Sequence, residues 1–353
     1  MVTPSVGMLH HEDLPLGRIG PLGAKHVNAE EIVAFARRFD PQAIHLDDQY
    51  ARKSIVAGLC ASGLHTCCIM MRLLCDEILL QAASLGSPGL DEVKWLKPLR
   101  PGDVVSLIAE VFDKRELASR PGVGLSDIMF GLVDAKGELV LTTRGKQLMR
   151  LRQPPQGSTV TNREKRTARR PIGSVDHDLW SAEPIRQALA VPNYFEDVVI
   201  GEVIEVGSHS FARDEITEFA ADFDPQAFHL DEAAAAKSLF GGLSASGWHT
   251  ASMLTRKVVD FRLDWWRKLE SVGLPVAQWG PSPGFCGLYW LKPVLVGDNV
   301  TFRTKVIEKE DSRSRLDRGL LSILAEGRNQ RGEVVIRVTE RVLVERRGKL
   351  ELP

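Results

Sequence analysis

Between residues 64 and 79 apolar side chains recur at helical spacing. Leu64, Cys67, Cys68, Met71, Leu74, Cys75 and Ile78 fall on one face at i, i+3, i+4 steps, while Ile69, Met70, Leu73 and Leu79 fill most of the remaining circumference. A helix apolar on nearly all sides is one that the fold encloses. Shorter helices are predicted over residues 29–36, with Asn28 as N-cap, and over residues 213–220. Each is followed by an Asp-Pro that stops it, because the residue before proline is pushed out of the α region. Period-two alternation at Val300, Phe302, Thr304 and Val306 predicts a strand, and the turn residues 134–137 and 329–332 between β-rich runs predict hairpins. One buried helix wrapped by antiparallel strands is the economical arrangement.

The pattern occurs twice. Residues 40–66 read DPQAIHLDDQYARKSIVAGLCASGLHT and residues 224–250 read DPQAFHLDEAAAAKSLFGGLSASGWHT, identical at 17 of 27 positions with an offset of 184. Further on, Trp95-Leu96-Lys97-Pro98 recurs as Trp290-Leu291-Lys292-Pro293, and Gly137-Glu138 as Gly332-Glu333, with an offset of 195. The second copy has therefore gained 11 residues within the tryptophan-rich stretch 251–289. Similar lead-ins at residues 11–17 and 195–201 complete each copy. The expected organisation is an N-terminal domain over 1–152, a solvated linker over 153–190 that includes the basic run 163–170, and a C-terminal domain over 191–353.

Length and charge narrow the classes. A chain of 353 residues suits two domains at roughly 100–200 residues each, and 44% hydrophobic with 26% charged residues gives each a core. The 45 basic residues are matched by 46 acidic ones, for a net charge of −1, so no global attraction to nucleic acid or anionic lipid is expected. The most apolar stretch, residues 64–80, is broken by Arg72, Asp76 and Glu77, well short of the roughly 18 uncharged residues of a membrane span. Residues 1–20 lack the apolar run of a secretory signal, and a cytoplasmic location is expected. Five cysteines without Cys-x-x-Cys spacing predict reduced, mostly buried thiols rather than a disulfide framework or a zinc site.

Candidate chemistry sits in the repeated block. Asp40 with His45, and Asp224 with His229, lie five residues apart just past a helix end, where an acid and an imidazole can share one pocket and exchange protons with a water molecule. Each Asp is also a good turn residue before proline, and each His is also a good core hydrogen-bonding group. Gly63 and Gly247, 18 residues past each histidine, open the long helices, where unpaired N–H groups and a positive helix dipole can stabilise an oxyanion. Tight packing of helix on sheet is the alternative use of these glycines. His65 and His249, on the helix face, read as structural. No Gly-x-Gly-x-x-Gly or Gly-Lys-Ser/Thr loop offers a cofactor site, so none is expected.

The pattern Phe-x-Asp-Pro-Gln-x-x-His-x-Asp followed by Ala-Ser-Gly-x-His-Thr resembles the MaoC-like acyl dehydratases and (R)-specific enoyl-CoA hydratases, and it does so in both halves. The resemblance implies an α+β double hotdog, two antiparallel sheets each wrapping a long central helix and pairing edge to edge. It also implies reversible hydration of a 2-enoyl thioester of coenzyme A or of a carrier protein, with no metal or redox cofactor. Asp40, His45, Asp224 and His229 would then activate water, and the Gly63 and Gly247 N–H groups would bind the thioester oxygen. The family often has Asn and Pro where this chain has Gln42, Gln226, Ala43 and Ala227. A hotdog thioesterase and a non-catalytic acyl-thioester-binding protein are the alternatives, and homo-oligomerisation is open. Because the second copy has Phe240-Gly241-Gly242 where the first has Val56-Ala57-Gly58, the C-terminal dyad is expected to be the main one, with Trp265, Trp266 and Trp279 walling its acyl channel.

Overall fold

A computed structural model of the chain describes residues 8–152, 179–185, 194–312 and 315–348. The first half runs β1 (Gly17–His26), α1 (Ala29–Phe39), α2 (Ala43–Leu46), α3 (Asp48–Arg52), α4 (Gly63–Glu77), β2 (Ser84–Gly86), β3 (Gly89–Trp95), β4 (Val104–Glu116), β5 (Val123–Asp134) and β6 (Leu139–Arg150). The second half runs β7 (Val203–Ser210), α5 (Arg213–Phe223), α6 (Ala227–Leu230), α7 (Glu232–Ala236), α8 (Gly247–Ser271), β8 (Gly284–Trp290), β9 (Asn299–Asp311), β10 (Arg318–Asn329) and β11 (Val334–Glu345). The Asn28 side chain accepts from the Glu31 N–H and the Glu31 carboxylate accepts from the Asn28 N–H, a reciprocal cap that starts α1. Asp40 and Asp224 close α1 and α5.

The strands form one sheet in the order β1-β4-β5-β6-β3-β8-β11-β10-β9-β7, with β2 beside β6. Each half supplies a curved antiparallel sheet, and the two join where β3 pairs β8, Leu90 opposite Leu288 and Val93 opposite Phe285. The halves therefore meet edge to edge, as in a two-fold dimer made within one chain. Helix α4 is buried along most of its length, which matches its all-round apolar sequence. Matching ion-pair and capping contacts tie the halves together on both sides of the pseudo-two-fold. Arg72 donates to the Ala221 carbonyl at 2.7 Å and Arg256 donates to the Arg37 carbonyl at 2.7 Å. Each of these guanidinium groups is also held by the carboxylate four residues on, Asp76 or Asp260.

The 11-residue gain is mostly helix. Helix α4 has 15 residues and α8 has 25. Part of the expected linker also departs from a solvated connector: Leu179 is fully buried, the Trp180 indole donates to Glu326, and Ile185 bridges to Ile204. Two large apolar side chains in this segment give it a reason to lie on the second sheet rather than in water. The basic run 163–170 lies outside the described residues. Cys60, Cys67, Cys68 and Cys75 are buried thiols, and Cys286 is exposed. No helix among the described residues is long and apolar enough to cross a membrane.

Candidate active site

Each Asp-Pro brings its acid and imidazole together by the same local device. Helix α1 ends with the Asp40 N–H on the Ala36 carbonyl, the chain turns, and the short α2 carries His45 back toward Asp40. The His45 Nδ1 lies 2.8 Å from the Cys60 carbonyl, which can only accept, so this nitrogen carries the hydrogen. The Nε2 therefore turns toward Asp40, 3.6 Å from Oδ2. That gap is too wide for a direct hydrogen bond and suits a small ligand touching both groups. Asp40 is fixed at both oxygens: Gln42 Nε2 donates to Oδ1 at 2.8 Å and Ser62 Oγ donates to Oδ2 at 2.5 Å.

The second copy repeats this geometry. Gln226 Nε2 donates to Asp224 Oδ1 at 2.9 Å, Ser246 Oγ donates to Oδ2 at 2.6 Å, and His229 Nδ1 donates to the Ser244 carbonyl at 2.7 Å. Its Nε2 is 3.5 Å from Asp224 Oδ2. One contact has no counterpart in the first copy: the Cys75 thiol reaches across from the other half to Asp224 Oδ1 at 3.4 Å, where Val259 occupies the matching place.

Gly63 and Gly247 open α4 and α8 beside these dyads. A Cβ at Gly63 would stand 2.4 Å from the Trp95 ring, and one at Gly247 would stand 2.4 Å from the Trp290 ring. Each indole N–H also donates to its glycine's carbonyl at 2.9 Å. The packing use of the glycines is thus present. It leaves the Gly63 and Gly247 N–H groups, at the first helical position, without an acceptor among the described residues.

The cavities differ, and they cross between halves. Asp40, His45 and Gly63 border a cavity of about 640 Å³ whose far walls come from α8, β10 and β11 of the second half. Asp224, His229 and Gly247 border one of about 330 Å³ whose far walls come from α4, β5 and β6 of the first half. Trp265 and Trp279 line the larger cavity, the one that contains Asp40. The expectation that Trp265, Trp266 and Trp279 serve the C-terminal dyad is therefore corrected: Trp266 lines neither cavity, and α8 packs with its flank toward the other half's site, so its extension widens that site instead. Ala57, at φ +54°, also lines the larger cavity; its Cβ adds backbone strain without closing the site.

His65 and His249 stand outside both cavities. His65 stacks on Phe35 at 4.5 Å, and burial pushes its pKa down to about 3. His249 stacks on Phe219 at 4.6 Å with Nε2 3.6 Å from Glu215, and burial lowers its pKa against the pull of that carboxylate. Both are neutral packing groups at physiological pH. Sequence reasoning missed the orienting roles of Gln42, Ser62, Gln226 and Ser246 and the tryptophans behind the glycines. All stand at matching places in both copies, which was the available signal.

Comparison with known proteins places the fold. The fold is a double hotdog, shared with Rv0216 of Mycobacterium tuberculosis at a TM-score of 0.63 and 15% identity over 97% of this chain and 100% of that one. A MaoC domain protein from Chloroflexus aurantiacus J-10-fl superposes at a TM-score of 0.73 with 15% identity, covering 98% of this chain and 100% of that one. At the level of family, residues 21–126 match the MaoC-like domain. The uncharacterized protein YdeM of Bacillus subtilis is 29% identical over 112 residues, 32% of this chain and 79% of its own length.

Proposed function

We propose that this protein adds water reversibly across the double bond of a 2-enoyl thioester, giving a 3-hydroxyacyl thioester, and that it works mainly at Asp40 and His45. The observation that carries this reading is the fixed imidazole. With Nδ1 committed to the Cys60 carbonyl, the neutral ring offers its Nε2 lone pair to the space beside Asp40, at the border of a large and mostly apolar cavity.

A water bound between Nε2 and Asp40 Oδ2 gives its proton to Nε2 as its oxygen bonds to C3 of the enoyl group. The π electrons move to C2 and onto the thioester oxygen as an enolate. The free N–H groups of the first turn of α4, beginning at Gly63, face this oxygen and stabilise it with the help of the helix dipole. The proton on the dyad then passes to C2, and the catalyst is restored. Asp40 orients the water and balances the imidazolium charge, while Gln42 and Ser62 hold Asp40 in place. A positioned acid–base pair of this kind accounts for about 10²–10⁴ of the rate. The carrier is coenzyme A or an acyl-carrier protein, both of which present the same thioester.

The test follows the absorbance of the enoyl-thioester band with crotonyl-CoA and six-carbon 2-enoyl-CoA, alongside free-thiol release. Loss of the band without thiol release is expected. Thiol release at the same rate would make the protein a thioesterase and end the hydratase reading.

A further inference from the structure

The larger cavity is mostly apolar, and two of the cations that line it are already committed, Lys97 to Asp134 and Glu138 and Arg100 to the Val56 and Leu59 carbonyls. Arg262, the first residue of α8 beyond the span that α4 also covers, lines it together with Glu340 of β11. The Arg262 guanidinium carbon lies 4.7 Å above the ring of Trp279. Among the described residues it forms no ion pair and finds no hydrogen-bond acceptor. The Ser282 hydroxyl donates to the Gly284 carbonyl, and Glu340 acts on Arg262 only through space, as does Asp40. The three charged groups therefore border one cavity. Neither member of the pair exists in the smaller cavity: the positions matching Arg262 and Glu340 are Ile78, beyond the end of α4, and Gly145. The registers agree, since Glu340 stands opposite Ile323 as Gly145 stands opposite Ile128.

A guanidinium with its donors unfilled inside an apolar channel is costly, and such groups are ordinarily paired. Its contact with the Trp279 ring holds the guanidinium in the cavity and leaves donors for an incoming group. The acceptor that matches a planar fork best is a carboxylate bound through two parallel hydrogen bonds.

Building on the hydratase reading, we propose that the acyl group taken at Asp40–His45 ends in a carboxylate, so that the substrate is the mono-thioester of an unsaturated dicarboxylic acid, and that Arg262 binds this end. Glu340 balances Arg262 across the channel and yields to the substrate carboxylate on binding. Burial pushes the Glu340 carboxyl upward, toward the neutral form that tolerates a second carboxylate nearby.

The experiment compares trans-2-hexenedioyl-CoA with trans-2-hexenoyl-CoA, two thioesters of equal chain length that differ in the terminal carboxylate. The intact chain is expected to favour the diacid at least tenfold in kcat/KM. Arg262→Met should lower diacid turnover about 100-fold, mainly through KM, and change hexenoyl turnover less than threefold. Glu340→Gln, which keeps size and removes the charge, should lower KM for the diacid severalfold and serves where Arg262→Met fails to fold. A wild-type preference for hexenoyl-CoA, or equal losses for both thioesters in Arg262→Met, would overturn the proposal. If neither thioester is hydrated, the hydratase reading fails by itself. Calorimetric binding of the two to wild type and Arg262→Gln then decides: selective, Arg262-dependent binding of the diacid upholds the assignment, and equal binding removes it.

Discussion

The two dyads are nearly superimposable in their polar contacts and unlike in the space they command. Carboxylate, glutamine, serine and imidazole keep the same partners in both copies, with hydrogen-bond lengths that agree to 0.1 Å. The surrounding side chains have moved apart. Ile44 and Val56 beside the first dyad are matched by Phe228 and Phe240 beside the second, where Phe228 packs 4.5 Å from the His229 ring and 5.0 Å from Phe240. On the far wall, Ala325 of the larger cavity is matched by Phe130 of the smaller, and Thr255 by Met71. The difference teaches where specificity is encoded. Each dyad belongs to one half, but the far wall of its cavity is built by the other, so under the proposed function the catalytic and the selective residues of one site are free to diverge separately.

The sharpest way to break this comparison is to disable each dyad alone. Asp40→Asn should lower hydration of a six-carbon 2-enoyl thioester by about two orders of magnitude or more, whereas Asp224→Asn should cost less than about twofold. Steady-state rates at saturating substrate, with far-UV circular dichroism to confirm folding, measure both. Equal losses near one half would show two equivalent sites, and the reverse pattern would return the principal role to the C-terminal dyad.

A smaller effect is expected from exchanging the wall residues. Ala325→Phe should reduce kcat/KM for the six-carbon thioester by about tenfold while leaving crotonyl-CoA within about threefold, because an added ring shortens the room without touching the dyad. In an Asp40→Asn background, Phe130→Ala should restore part of the six-carbon activity through the second site. No gain there, in a variant that unfolds at the same urea concentration as its parent, would mean that wall volume does not limit that site.

The glycines separate structure from chemistry. Gly63→Ala and Gly247→Ala each drive a Cβ to 2.4 Å from a tryptophan ring, so both should lose about 1–3 kcal/mol by overpacking. Only Gly63→Ala should also lower turnover of the six-carbon thioester strongly. Matching urea midpoints with unequal activities is the expected signature; equal activity losses would remove the asymmetry.

Much of this was legible in the sequence because duplication keeps what cannot change. The ungapped block from Asp40 to Thr66 and its copy carry the dyads, the helix starts and the glycines, and the all-round apolar run marks α4 as the enclosed helix. The edge-to-edge pairing of the two hotdogs followed from the family resemblance and is present at β3 and β8. What could not be read was the crossing of the cavities. The sequence places Trp265 in the stretch gained after Gly247 but is silent about which half that stretch packs against, so proximity in sequence assigned it to the wrong dyad. The same limit hid Cys75 beside Asp224, 149 residues apart. Segment 179–185 was read as linker from its proline, glycine and charge-rich neighbours, although its own Leu179 and Trp180 are the residues that dock.

The last comparison, and the smallest effect, concerns the two buried helix histidines. His65 is neutral in the folded chain down to about pH 3, because burial opposes its charge and Lys25 adds to that opposition. In the unfolded chain the same ring takes a proton below about pH 6.5. Between these values the unfolded state binds the extra proton, so the contribution of neutral His65 is complete above the unfolded pKa and falls by about 1.4 kcal/mol for each unit of pH below it. At His249 the Glu215 carboxylate pulls the other way and opposes the loss of stability to acid. Urea midpoints at about pH 7.5 and about pH 5.5 should show His65→Phe, which keeps the stack on Phe35, flattening the acid loss by roughly 1 kcal/mol and His249→Phe flattening it less. An unchanged acid loss in His65→Phe would mean that this ring is charged in the folded chain, and that the α1–α4 contact tolerates a charge that its apolar surroundings should exclude.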